Sequence, residues 1–202
     1  MIQDLDATLR QLLTANAPPG SLLASAKIAF DLPDADWHAK LAALTLNLYL
    51  YNIVENRDMR TNEVLLVRSS DGKRAARLAP PIRIDCAYCI TAWSLSTASP
   101  VLEEHQLLSD VLLLLLQTPT IPAGVLQGSL VAQIPPYPTI VASTDAMKNH
   151  PEFWTALDQK LKPSLNYVVT LGMLLESVPT DANLPAVVQQ TNIIADNKAL
   201  VD

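Results

Sequence analysis

The chain has 202 residues, half of them apolar and 17% charged, with fourteen Lys and Arg against twenty Asp and Glu for a formal net charge of −6. The length suits one compact domain with room for a sizeable core, while a charged fraction below the usual quarter or so points to surface buried against other proteins. The acidic balance argues against a nucleic-acid-binding face, which needs clustered cations, and two cysteines are too few for a disulfide scaffold.

Ile2, Leu5, Leu9, Leu12 and Leu13 recur at helical spacing up to Pro18-Pro19-Gly20, which predicts an opening amphipathic helix. Ala26, Ile28 and Phe30 alternate with Lys27 and Asp31 as a short strand, and residues 33–37 read as a loop. Over 44–54, Leu44, Leu46, Leu48 and Leu50 fall on one face and Thr45, Asn47, Tyr49 and Tyr51 on the other, the pattern of a half-buried strand. Residues 64–68 and 74–79 flank Ser69-Ser70-Asp71-Gly72-Lys73, and an Asp-Gly between two strand-like runs predicts a hairpin. After Pro80-Pro81, the residues Ile82, Ile84, Cys86, Tyr88 and Ile90 alternate with Arg83, Asp85, Ala87, Cys89 and Thr91 in a second long strand that ends near Trp93.

Ser99 and Pro100 start a helix as N-cap and first-turn residues. Glu103 and Glu104 complement its dipole, and it runs to about Gln117. Its second half is apolar nearly all round, which predicts deep burial. Residues 118–138 are proline-rich, with short strands expected at 129–133 and 139–142. Phe153, Trp154, Leu157 and Leu161 mark a short helix. Leu165, Tyr167, Val169, Leu171, Met173 and Leu175 share one face of a last long strand, 165–178. Beyond Pro179 the chain turns polar, with Val187, Val188, Ile193 and Ile194 as its apolar clusters, so 179–202 reads as an arm on a domain of 1–178. Helices placed singly among antiparallel-looking strands give an α+β class: a mixed, mostly antiparallel sheet with helices packed on one face.

The first residues lack the basic-then-apolar pattern of a secretory leader. The longest apolar run, Val111 to Leu116, is far short of the roughly 20 residues that span a bilayer. A soluble cytoplasmic chain without membrane insertion is the expectation.

Cys86-Ala87-Tyr88-Cys89 has the spacing of a redox or zinc pair. Such pairs sit on turns or helix starts that bring both sulfurs together. Positions three apart on a strand point to opposite faces. Cys86 is therefore expected as a small core residue and Cys89 on the other face, sharing neither a bond nor a metal. His38, His105 and His150 lack the i, i+4 spacing of a zinc helix. There is no Gly-x-Ser-x-Gly elbow and no phosphate-cradling glycine loop. The carboxylate pairs Asp4/Asp6, Asp34/Asp36 and Glu103/Glu104 fall at expected surface starts of elements, as solvated groups. The residues point to no catalytic, cofactor or metal site, hence to a protein that is not an enzyme. Two features suit contacts instead. Tyr49 and Tyr51, opposite the leucines, either anchor an interface or lie under a second layer of core. Lys73, Arg74 and Arg77 make the hairpin basic, either as a solubilising surface or as a reach toward an acidic neighbour.

Four stretches then stand in a telling order. Leu46 to Asn56 is similar to "LNLYLYDIREN". Pro80-Pro81-Ile82-Arg83-Ile84-Asp85, with Tyr88 and Thr91-Ala92-Trp93, is similar to "PPxRxDLxYLVTAW". Glu104 to Leu108 resembles "EHxLL", and Leu161 to Thr170 resembles "LRPSLxYxVT". Over residues 1–178 the chain thus resembles the cap, or tail-terminator, proteins of phage-tail-like extracellular contractile injection systems. Cys86, Asn52 and Val54 depart from that pattern, which has an aliphatic, an acidic and a basic residue there.

The resemblance implies a fold similar to contractile phage tail terminators and a structural role. It implies a ring, usually sixfold, at the end of the inner tube, which stops tube growth and clips the last sheath layer. The implied partners are further copies of this chain, the inner-tube protein and the sheath protein. Assembly in the cytoplasm and presence in a released extracellular particle are implied likewise. Another structural component of the same machine, a tube or sheath-adaptor protein, stays open as the alternative. A closed ring uses heterologous contacts, which edge strands, hairpins and arms supply. The expected contacts with subunits, tube or sheath are therefore hairpin 64–79 and arm 179–202, and the residues Tyr49, Tyr51, Lys73, Arg74, Arg77, Val187, Val188, Ile193 and Ile194.

Overall fold

The structure, a computed structural model, describes residues 1–63, 65–68, 74–133, 136–143, 150–174 and 184–185. The chain divides into two compact units. One comprises residues 1–61 and 81–175, and the other residues 62–80 and 176–202.

The larger unit is built on a five-stranded sheet of order β1-β2-β5-β7-β6, with β1 (Lys27–Ala29), β2 (Thr45–Glu55), β5 (Ile82–Trp93), β6 (Thr139–Val141) and β7 (Leu165–Met173). β1 lies parallel to β2, and every other pairing is antiparallel. The expected mixed, mostly antiparallel α+β sheet is present. Its three long strands are the three whose sequences alternate most cleanly, although β5 and β7 are buried on both faces along much of their length. On the first face Leu46, Leu48, Tyr88, Ile90, Tyr167, Val169 and Leu171 lie beneath α1 (Ile2–Asn16) and α4 (Pro100–Leu116). Leu5, Leu9, Leu12 and Leu13 come from α1, and Leu107, Leu108, Val111, Leu114 and Leu115 from α4.

Helices are not confined to that face. Residues 33–37 do not form a plain loop: Asp34 caps α3 (Ala35–Ala39), its carboxylate accepting from the Trp37 N–H at 2.8 Å. With α5 (His150–Ala156), this helix brings Trp37, Phe153 and Trp154 onto the second face, over Cys89 and Trp93. A four-residue helix, α2 (Leu22–Ser25), links α1 to β1.

Two further expectations are corrected, and a third falls partly outside the described residues. Residues 129–133 are not a strand, since Gly128–Ala132 form a 3-10 turn. Asp4 takes both the N–H and the hydroxyl of Ser129, which removes the ladder a strand would need. Gly128 has φ +56°, and a Cβ there would collide with the Asp4 carboxylate. The last long strand ends at Met173 among the described residues, and Leu175 to Val178 lie outside them. The second half of α4 is not deeply buried all round. Leu113 and Leu116 are 61% and 58% exposed, because the inner stripe alone fills the space above the sheet.

β2 also departs from strict alternation. Its register with β5 slips between Leu50 and Asn52, leaving Tyr51 as the extra residue of a bulge. Beyond it, Ile53 stands opposite Cys86 and Val54 opposite Asp85, both apolar side chains about half exposed.

In the smaller unit, β3 (Leu65–Arg68) pairs antiparallel with β4 (Arg74–Leu78). The expected hairpin is present there. β4 also pairs with β8 (Leu184–Pro185), so a piece of the chain beyond Pro179 is strand-paired to the hairpin.

Candidate interaction surfaces

Tyr49 and Tyr51 are half-buried on the second face, with ring centroids 6.2 and 5.9 Å from Phe153 of α5. Tyr51 belongs to the apolar cluster of Cys89, Trp93 and Trp154. Burial pushes its hydroxyl up to about 12, and the nearby Cys89 adds to the shift. Both rings therefore lie against α5 on the second face. Arg74 and Arg77 lie on β4, opposite Pro185 and Leu66. Lys73, Val187, Val188, Ile193 and Ile194 lie outside the described residues.

Cys86 and Cys89 are both free and buried. They pack in different clusters on opposite faces of β5, as strand geometry requires. Burial pushes each thiol up to about 11; nearby Asp85 and Asp6 add to this at Cys86, and a hydrogen bond with Ser164 opposes it at Cys89. Reaction needs thiolate and access. Native protein at pH 8 is therefore expected to release no colour from a thiol-exchange reagent within minutes, and two equivalents per chain once unfolded. Rapid reaction of either thiol in the native state would contradict this placement.

Apart from the exposed Asp36, the carboxylates are less solvated than their positions at element starts imply. Asp6 is half-buried and accepts the Tyr88 hydroxyl at 2.7 Å. Burial raises its pKa, partly offset by that bond and by Arg10. Asp4 meets Ser129 and the N-terminal ammonium, which lower its pKa. Glu104 bonds Lys162 and the Ser94 N–H, and the Lys162 ammonium lies 4.7 Å from the centre of the Trp93 ring. Glu103 takes the Ser94 hydroxyl. Among the described residues no group of three or more His, Cys, Asp or Glu is placed to hold a metal ion. His38 is exposed against Trp93 at 4.8 Å, and His105 is exposed on α4.

The family-like stretches converge on such nodes. Asp85 of β5 accepts from Asn56, just past β2, and from Thr170 of β7 at 2.6 Å, tying three neighbouring strands. Asn47 of β2 is held by both backbone groups of Asp31, at 3.1 and 2.9 Å. Glu104 and Lys162, from two different stretches, form the pair described above. These residues hold elements together and do not present a surface. The co-occurrence of polar residues within apolar strand patterns is the only sequence sign of them.

The larger unit also exposes apolar side chains on α4. Leu102, Gln106, Ser109, Leu113 and Leu116 are all exposed on α4, at the 4-3-4-3 spacing of a helix seam, with Leu102 at 70%. Beside the last two turns a cleft of about 290 Å³ opens between α4 and the end of α1, lined by Asn16, Pro18, Asp110, Leu113 and Gln117 among others. Asp110 Oδ1 accepts from Gln106 at 3.0 Å, while its buried Oδ2 has no hydrogen-bond partner. No helix among the described residues is long and apolar enough to cross a membrane.

The comparisons with known proteins agree with this architecture. No curated protein matches the chain. Among solved structures it is similar to the sheath/tube terminator of an extracellular contractile injection system, PVC, in its extended state, with a TM-score of 0.63 and 24% identity. It is also similar to the anti-feeding prophage cap, the AFP tube terminating cap, with a TM-score of 0.59 and 22% identity. Each match covers 95% of this chain, which spans 62% and 61% of the two relatives' lengths. At such identities the likeness is one of fold, and that fold is the one found in contractile-injection-system terminators. Residues 4–187 match the family described as the Pvc16 N-terminal domain, and the chain belongs to that family.

Proposed function

We propose that this chain is a non-enzymatic cap, or tail terminator, of a contractile injection system. In this reading it forms a ring of six copies that ends the inner tube and attaches the last sheath layer. The tube and sheath proteins are its partners, and assembly takes place in the cytoplasm before the particle is released. The observation that carries the reading is the shared fold, over 95% of this chain, with a protein named a sheath/tube terminator. The apolar seam on α4 and the apolar end of β2 support it, because exposed apolar surface of this kind marks protein contacts. Hairpin 64–79 and arm 179–202, the latter taken as an appendage to a domain of 1–178, are proposed to contact neighbouring subunits or sheath.

Deleting the gene and imaging the particles tests this. Tails of uncontrolled length, or sheaths that detach, are the expected result, and tails of normal length with intact sheaths would overturn the cap. Electron microscopy of the purified chain separates the alternative of a tube or adaptor subunit, since discrete rings favour a cap and long tubes favour a tube protein. Loss of residues 180–202 with the oligomer and sheath attachment unchanged would sink the role of the arm.

A further inference from the structure

We propose that the cleft between the end of α1 and the last turns of α4 is a seat for an arginine side chain of a partner protein. The inference goes beyond the terminator reading and does not depend on which part of the particle this chain forms. The cleft measures about 290 Å³. Asn16, Asp110 and Gln117 bring polar side chains to its walls, and Pro18, Leu113 and Leu114 bring apolar surface.

The electrostatics select a cation. Both helices end at this cleft, and neither carries a basic residue in its last turn. The negative ends of two helix dipoles therefore stand there without the usual compensating charge. No Lys, Arg or His is among the described residues that line it. Asp110 Oδ2 is buried without a donor, and such a group is costly to leave unfilled. Its Oδ1 accepts the neutral amide of Gln106, an exposed side chain, at 3.0 Å. Asn16 turns its amide nitrogen to the Leu12 carbonyl at 2.8 Å, which leaves its side-chain oxygen as an acceptor.

A guanidinium suits these acceptors better than an ammonium does. Its planar fork spans both oxygens of one carboxylate, its remaining N–H groups reach further acceptors, and its stem lies on apolar walls. Gln106, Asp110, Leu113 and Gln117 follow at steps of four, three and four along one stripe of α4. Turning the Gln106 amide aside therefore opens the carboxylate to a guest in the cleft. Leu113 and Leu116 stand exposed beside it, so the guest arginine has apolar neighbours. A second copy of this chain is a poor source, since a net charge of −6 opposes self-approach.

Peptide titration of the full chain, followed by calorimetry, tests this. N-acetyl-Leu-Arg-Leu-amide is expected to bind about tenfold or more tightly than its citrulline analogue, which keeps the shape and loses the charge. Asp110→Asn is expected to remove that preference, with a melting temperature near that of the parent. Leu113→Lys, which sets an ammonium at the mouth from an exposed position, is expected to weaken the arginine peptide about tenfold and serves should Asp110→Asn fail to fold. Equal binding of the two peptides, no binding of either, or a preference that survives both variants overturns the seat. N-acetyl-arginine-amide binding as tightly as the flanked peptide makes this a site for small guanidines and overturns the protein guest. Displacement of the peptide by an equal concentration of spermidine shows unselective attraction of cations and overturns it too. Self-association of the parent that is lost in Asp110→Asn assigns the seat to a second copy and overturns the partner.

Discussion

Truncating Trp154 to alanine is expected to cost about 3–5 kcal/mol, the range for large buried aromatics, and to lower the melting temperature by roughly 10 °C. Trp154 is 1% exposed and is the largest fully buried side chain of the larger unit. It stands edge-on to Phe153 at 5.6 Å, and Phe153 in turn meets Tyr49 and Tyr51. Its removal would empty the centre of the second-face cluster and leave α5 without its main anchor on the sheet. Trp154→Phe should cost much less. The indole N–H has no hydrogen-bond partner among the described residues, so its loss forfeits little beyond volume. Urea or thermal unfolding measures both variants. A loss below about 1 kcal/mol for the alanine would show that the second layer adds no stability.

Lys162→Met is expected to destabilise the fold by about 3–5 kcal/mol, because it strands a carboxylate that folding has taken out of water. Glu104 and Lys162 are only 14% and 17% exposed. The carboxylate also holds the Ser94 N–H, and the ammonium sits over the Trp93 ring. The pair therefore joins the start of α4, the end of β5 and the segment leading into β7. Glu104→Gln should cost less than Lys162→Met, since an amide oxygen still accepts from Ser94. The double variant Lys162→Met/Glu104→Gln should recover at least about 1 kcal/mol relative to the sum of the singles, as expected for side chains in direct contact. Being partly buried, the coupling should persist at 0.5 M salt, roughly where exposed pairs are screened out. Additive single effects, each within about 0.5 kcal/mol of zero, would show that the pair contributes nothing.

The two predictions concern opposite kinds of sequence sign. Trp154 stands in a short apolar cluster with Phe153 and Leu157, which predicts a helix there but not its place on the second face of the sheet. Glu104 reads as a first-turn acid complementing a helix dipole. Nothing local marks its partner, which lies 58 residues away. Asp85 and Thr170 are 85 residues apart, and Asp6 and Tyr88 are 82 apart. Contacts at such separations leave no periodic trace in either segment.

Alternation of period two is enough to identify β2, β5 and β7 and the face each turns to the core. It also separates Cys86 from Cys89, because strand geometry fixes side-chain direction whatever the partner. The mixed α+β class follows from the order of elements. Tertiary structure alone decides what covers the second face, where β2 bulges at Tyr51, and which side of α4 stays open. An apolar helix records that it is apolar but not how much core awaits it. Leu107, Val111, Leu114 and Leu115 of the inner stripe fill the space above the sheet, and Leu113 and Leu116 are left facing outward.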